Sequence, residues 1–266
     1  MRIGFIGAGN MATAIIGGLL GAGTPACDIS VYDMDAEKIK FFAKKGIFAE
    51  ENSCAVTQKC DIIVLAVKPQ NYSEVLQEIA TAADMSKTFV SIAAGITIDF
   101  VRKALSLECP VVRVMPNTPL LVGKGATAMC FSDNVSSEVK EVTTSMFSSS
   151  GVVEEFAEDK MDAIISVNGS SPAYFYLFAK AMADYAQSVG IDRDCAMRLI
   201  CAAMEGSVEM LRTSGDDPDT LIKKVSSKGG TTIEALNKFY EHGLENAVKE
   251  AMAACTKRAG ELAAEA

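Results

Sequence analysis

The chain opens on a turn whose residue types suit a phosphate. Gly7-Ala8-Gly9-Asn10-Met11-Ala12 is a G-x-G-x-x-A pattern between a short apolar run, "RIGFIG", and a helical pattern, "NMATAIIGGLLGAG". In such a turn the first glycine permits a tight bend, the second lets backbone N–H groups approach a pyrophosphate, and the alanine lets helix and sheet close up. The helix N-terminus then faces anionic oxygens. A plain turn would also use glycines, so its place inside a strand-turn-helix unit is what favours a dinucleotide. Asp33 ends the next apolar run, about 20 residues further on, where an acidic residue hydrogen-bonds the adenosine ribose. A carboxylate there repels a 2′-phosphate, which leans the choice between NADP and NAD toward NAD. Capping the helix that starts nearby is the competing role for Asp33, and Lys38 and Lys40 stand close enough in sequence to soften the repulsion.

Two further segments end apolar runs. "AVKPQ" (66–70) follows "DIIVL", and "SIAAGIT" (91–97) follows "TFV". Ligands of open α/β sheets lie outside the carboxyl ends of the strands, so both segments should border the nicotinamide half of a cleft. Small Ala93, Ala94 and Gly95 would admit a flat ring, although tight packing explains small residues as well. "MPNTP" (115–119) has the composition of a rigid turn. Far downstream, Ser226-Ser227-Lys228-Gly229-Gly230-Thr231-Thr232 precedes the helical pattern "IEALNKF". Consecutive N–H groups of a Ser/Gly turn that opens onto a helix suit a carboxylate. Read from the residues alone, a helix capped by Thr231 or Thr232 accounts for the same pattern.

The elements that must position these groups alternate over the first 155 or so residues. Apolar runs at "RIGFIG", "DISVYD", "DIIVLAV", "TFVSIAA", "VVRVMP", "GATAMCF" and "GVVEEF" are separated by helical patterns. Near-continuous apolar strands are those of a parallel sheet covered on both faces. The alternation predicts an α/β fold with a doubly wound sheet of the Rossmann type. In the helix after Asp35, Ile39, Phe41 and Phe42 should face inward. Past Glu158 the short β-branched runs give way to helical patterns, so a dinucleotide-binding domain over 1–158 and an all-α domain over 159–266 are expected. Met161 to Val189 reads as one long helix interrupted at "NGSSP", with Ser171 capping the part that begins at Pro172.

Composition excludes several classes. A net charge of −9 lacks the positive patch that nucleic acid requires. Residues Ile3 to Cys27 are uncharged and long enough to span a bilayer, but their glycines and polar Asn10 and Thr13 split the run into strand, turn and helix. The eight cysteines form no C-x-x-C pair, which fits free thiols in the cytoplasm and no metal site. The single histidine, His242, lies beside Glu241 and reads as a surface residue.

The segments "IGAGNMATAI", "AVKPQ", "SIAAGIT", "MPNTP", "NGSSPAY" and "VSSKGGTTIEAL" resemble, in order and over nearly the whole chain, the motifs of pyrroline-5-carboxylate reductases. The resemblance implies reduction of 1-pyrroline-5-carboxylate to L-proline by hydride from NAD(P)H, the last step of proline synthesis. It implies a helical C-terminal domain that interlocks with its twin in a homodimer or higher assembly, with the substrate site between the domains. Carried onto this chain, the cofactor belongs to Ile6, Gly7, Ala8, Gly9, Asn10 and Met11. Asp33 and Asn52 fall on its ribose side, and Ala66, Val67, Lys68, Pro69, Ala93 and Ala94 on its nicotinamide side. The substrate belongs to Ser227, Lys228, Gly229, Gly230, Thr231 and Thr232, with the Thr232 hydroxyl beside the ring nitrogen as the catalytic group. A dehydrogenase of small 3-hydroxy acids would share the N-terminal unit but needs a Lys or His base, and none is evident. A dinucleotide sensor without turnover would have no use for the downstream turn.

Overall fold

Apolar runs too short for helices build an eight-stranded sheet in the computed structural model, which describes residues 1–265 and the side chains of residues 1–262. The strands are β1 (Ile3–Ile6), β2 (Ile29–Tyr32), β3 (Phe48–Ala49), β4 (Ile62–Leu65), β5 (Thr88–Ser91), β6 (Val111–Met115), β7 (Gly125–Phe131) and β8 (Gly151–Glu155), in the order β3-β2-β1-β4-β5-β6-β7-β8. The first six strands run parallel, β7 is antiparallel to β6, and β8 returns parallel to β7. Seven strands match the apolar runs. The two-residue β3 was missed because "FA" is too short to show a period, and the reversal at β7 has no signature in composition.

Alternate residues of each strand enter two cores. Phe5, Val31, Val64, Val90 and Val112 meet α1 (Asn10–Gly21), α2 (Ala36–Ala43) and α6 (Ser137–Ser148) through Ile15, Ile16, Phe42, Met146 and Phe147. Ile6, Ile63, Leu65, Phe89 and Val111 meet α3 (Ser53–Lys59), α4 (Tyr72–Ile79) and α5 (Ile98–Leu105) through Val56, Leu76, Ile79 and Val101. Phe41 departs from expectation. It is exposed, edge-on to Phe42, with the Lys45 ammonium 4.3 Å from its ring centre, because one turn of a short helix can bury only one of two adjacent rings.

Past the sheet come α7 (Met161–Ile164), a π-turn (Ile165–Gly169), α8 (Ser171–Ser188), α9 (Arg193–Thr213), α10 (Pro218–Val225), α11 (Thr231–Glu241) and α12 (Leu244–Glu265). The "NGSSP" interruption is therefore a π-turn, and Ser171 does not cap: its hydroxyl donates to Asn168 O at 3.4 Å. Two compact units result, Met1–Pro172 with the segment from Ala253 onward, and Ala173–Met252. By packing, the first unit runs on to Pro172, past the change of chain character at 158/159. Arg113 explains the difference. It is buried in β6 and holds Asp162 at 2.5 Å and Glu158 at 3.6 Å, and Met161 enters the second core. These side chains tie α7 to the sheet.

The unit Ala173–Met252 has little interior of its own. Its buried apolar residues are Ala183, Ala196 and Ile200, whereas Phe175, Tyr176, Leu177, Tyr185, Leu199 and Val225 are all more than half exposed. Fixing a backbone costs about 1–2 kcal/mol per residue, and burying one large apolar side chain returns about 1.5–3 kcal/mol. Even with the half-buried Ala179, Ala186, Met197 and Met204 packed on it, this interior leaves large apolar faces exposed, the kind of surface that marks an interaction site.

Candidate functional site

Most helix starts are capped by a side chain. Asp35, Asn52, Thr97, Ser136, Asp192 and Asp217 each accept a backbone N–H from the first turn of the helix they precede, at α2, α3, α5, α6, α9 and α10. Helices α4 and α7 have no side-chain cap behind Asn71 and Lys160. Helices α1 and α11 have none either, and they start from glycine, Gly9 and Gly230, so the N–H groups of their first turns are open to an external acceptor. These two are the helix starts that the Gly-rich sequences had marked for anions. Thr231 and Thr232 lie inside α11 and do not cap it, which removes the structural alternative for that pattern.

The glycines of the first turn have separable roles. Gly7 has φ +100°, and a Cβ there would fall 2.6 Å from Ala66 O, so the fold itself requires it. Gly9 has φ −78° and ψ −172°, ordinary for any residue, and a Cβ there would meet no atom within 4 Å. The chain has no internal need of that glycine, and the space beside the uncapped helix start is open.

Neighbouring strand ends gather most of the predicted cofactor residues. Ile6 ends β1, and its carbonyl accepts from Ala66 N–H at 2.8 Å. Val67, Lys68 and Pro69 follow Ala66, while Ala93 and Ala94 follow β5, whose Ser91 pairs with Leu65. Beneath both segments lies Tyr72, fully buried, whose hydroxyl donates to Leu65 O at 2.6 Å and accepts from Ser91 Oγ at 3.2 Å. Burial pushes its pKa up, so it stays a neutral bridge between the two strand ends. Sequence reasoning missed Tyr72 because it reads only as the apolar face of α4.

Asp33 follows β2, and its Oδ2 accepts from Ala8 N–H at 2.7 Å while Oδ1 accepts from Asp35 N–H at 2.9 Å. Lys38 Nζ stands 3.3 Å from Oδ2 and 3.4 Å from Oδ1. Burial raises the Asp33 pKa, but the N–H groups of Ala8 and Asp35 and the Lys38 charge outweigh it and hold the pKa below its ordinary value. Asp33 is therefore not the helix cap, a role that Asp35 fills through Glu37 N–H. Lys40 pairs with Glu37 at 2.7 Å instead. Asn52 uses its amide oxygen on Ala55 N–H at 2.8 Å and is not brought to Asp33 by any bond.

The "MPNTP" and "NGSSP" motifs meet. Asn168 Nδ2 donates to Met115 O at 2.7 Å and to Ala126 O at 2.9 Å, while Asn117 donates to Asn168 O at 3.0 Å and accepts from Ala126 N–H at 2.9 Å. A Cβ on Gly169 would fall 2.6 Å from Met115 Cε. The pair joins the π-turn to the carboxyl end of β6. In the other unit the turn after α10 bends through Gly229 at φ +72°, with Gly230 N–H donating to Ser227 O at 2.9 Å. Ser227 to Gly229, Thr231 and Thr232 are exposed. His242 is also exposed, as expected.

A glycine-capped first helix and an acidic residue after β2, on a sheet of order 3-2-1-4-5-6, define a nicotinamide-dinucleotide oxidoreductase of the Rossmann class. Residues 2–95 match the family model described as NADP oxidoreductase, coenzyme F420-dependent, and residues 158–262 match pyrroline-5-carboxylate reductase dimerisation. The pyrroline-5-carboxylate reductase of Escherichia coli (strain K12) is 39% identical over 264 residues, covering 98% of both chains, and that of Pseudomonas aeruginosa is 38% identical over 98% of this chain and 97% of its own. A Plasmodium falciparum pyrroline carboxylate reductase crystallised with NADP superposes with a TM-score of 0.91 at 29% identity, covering 99% of this chain and 98% of its own. A Coxiella burnetii pyrroline-5-carboxylate reductase gives 0.89 at 31%, covering 98% of each. The chain belongs to the pyrroline-5-carboxylate reductase family.

Proposed function

We propose that this chain reduces 1-pyrroline-5-carboxylate to L-proline with a reduced nicotinamide dinucleotide. The single observation that carries the reading is the pair of uncapped, glycine-started helices, one in each Gly-rich motif of a chain 39% identical over its length to a reductase of that substrate. Bound at the first turn, the cofactor supplies a hydride from C4 of its nicotinamide. The N–H groups at the start of α1 hold the pyrophosphate, with Ile6, Gly7, Ala8, Gly9, Asn10 and Met11 forming the turn. Asp33 and Asn52 take the ribose side, and Ala66 to Pro69 with Ala93 and Ala94 take the nicotinamide side. The turn from Ser227 to Thr231 holds the substrate carboxylate on backbone N–H groups, and the Thr232 hydroxyl hydrogen-bonds the ring nitrogen. An iminium formed in solution arrives already protonated, so the site needs no strong acid, and orientation supplies most of the rate.

The helical faces left exposed in Ala173–Met252 are covered by a second copy, giving a homodimer, in keeping with the dimerisation model that matches there. Among the described residues no helix is long and apolar enough to cross a membrane, and the free thiols fit the cytoplasm. Spectrophotometric oxidation of NADPH or NADH on adding pyrroline-5-carboxylate, with proline as the product, tests the reaction. Cofactor binding without turnover would leave only a sensor.

A further inference from the structure

We infer that Asp33 is a positioning residue of the dinucleotide turn: its carboxylate, by holding Ala8 N–H, aims the N–H groups that follow toward the pyrophosphate. The inference rests on the assignment of that turn to the cofactor. Ala8 stands between two glycines, the least restrained of residues in the backbone. Two bonds hold this stretch to the end of β2: Gly7 N–H donates to Tyr32 O at 2.8 Å, and Ala8 N–H donates to Asp33 Oδ2 at 2.7 Å. Of the two, only the second is made by a side chain, so only it can differ from sequence to sequence. It fixes the plane of the Gly7–Ala8 peptide, one residue ahead of Gly9, from which α1 starts.

The arrangement is otherwise hard to justify. A carboxylate beside an anion site opposes the anion, and at short range such a repulsion is not negligible. Here the opposing charge is offset on the spot. Asp33 is held by Asp35 N–H and by Lys38, which approaches both of its oxygens, and its side chain is 15% exposed. A residue serving only to contact a ribose would not need both oxygens engaged within the chain. Charge and geometry therefore make opposite forecasts for the removal of Asp33. Charge alone forecasts tighter binding of any phosphate at the turn, and positioning forecasts weaker binding.

Reduced nicotinamide mononucleotide separates the two, because it carries a phosphate but no adenosine ribose for Asp33 to touch. Its Kd, read from the nicotinamide fluorescence, should rise roughly three- to tenfold in Asp33→Ala. Asp33→Asn keeps an acceptor for Ala8 N–H without the charge and should stay within about twofold of the unaltered protein. An Asp33→Ala variant that binds as tightly as the unaltered protein, or more tightly, overturns the inference, and so does equal weakening in the Asn variant. If Asp33→Ala does not fold, Asp33→Ser, too short to reach Ala8, takes its place with the same forecast. Gly9→Ala distinguishes this failure from failure of the underlying assignment: a Gly9→Ala protein that binds the mononucleotide normally removes the turn as the phosphate site altogether.

Discussion

Gly7 and Gly9 look alike in sequence and should respond oppositely to the same change. In Gly7→Ala the new Cβ meets Ala66 O at a positive φ, which should cost at least about 1 kcal/mol of stability. In Gly9→Ala stability should move by less than about 1 kcal/mol, while cofactor Kd rises about tenfold or more. Urea midpoints and fluorescence titration read the two effects, and a Gly9→Ala protein with unchanged Kd would contradict the assignment. At Asp33, NADH should support turnover at least as well as NADPH, and Asp33→Ser should shift the ratio of their Kd values toward NADPH. The ratio isolates the 2′-phosphate, since any loosening of the turn affects both dinucleotides. Thr232→Val keeps the shape and removes the hydroxyl. A hydrogen bond to a charged group contributes about 1.5–3 kcal/mol, so kcat/KM should fall roughly 10- to 100-fold with dinucleotide Kd unchanged. Full activity in Thr232→Val would leave the substrate to the backbone donors.

Between elements, the Asn117–Asn168 pair joins the π-turn to the carboxyl end of β6 and the start of β7, 53 and 42 residues away in sequence. Asn168→Ala leaves the Met115 and Ala126 carbonyls without that donor and should destabilise by about 1–3 kcal/mol. Asn168→Asp, which has acceptors only, should be worse, because its oxygens would face both carbonyls. Thermal midpoints order the three proteins, and Asp more stable than Ala at this position would argue against the pairing. None of this was legible in sequence. "MPNTP" and "NGSSP" each read as a turn with local chemistry, and the bonds between them span more than 40 residues.

For the whole molecule, the decisive property is the small interior of Ala173–Met252. Sedimentation at micromolar concentration should show at least a dimer, and Leu199→Arg, placing a charge where α9 carries one of its most exposed apolar side chains, should shift the mass toward the 28.2 kDa of one chain. A stable monomer of the unaltered protein would remove the proposed assembly.

What the sequence determined by itself was whatever is local or periodic. Seven of the strands, the helical character past residue 158 and the two Gly-rich turns were visible because burial on both faces, helical period and the backbone freedom of glycine act over a few residues. Tertiary structure decided the rest. Whether Asp33 caps a helix or holds Ala8, whether Thr231 caps α11, and whether Gly9 is needed by the fold or by a ligand all depend on atoms brought close by folding. The same holds for Arg113, whose ion pairs bind α7 to the sheet and carry the first unit past the point where chain composition changes. A buried charge must find its partners wherever the chain returns, and sequence spacing does not say where that is.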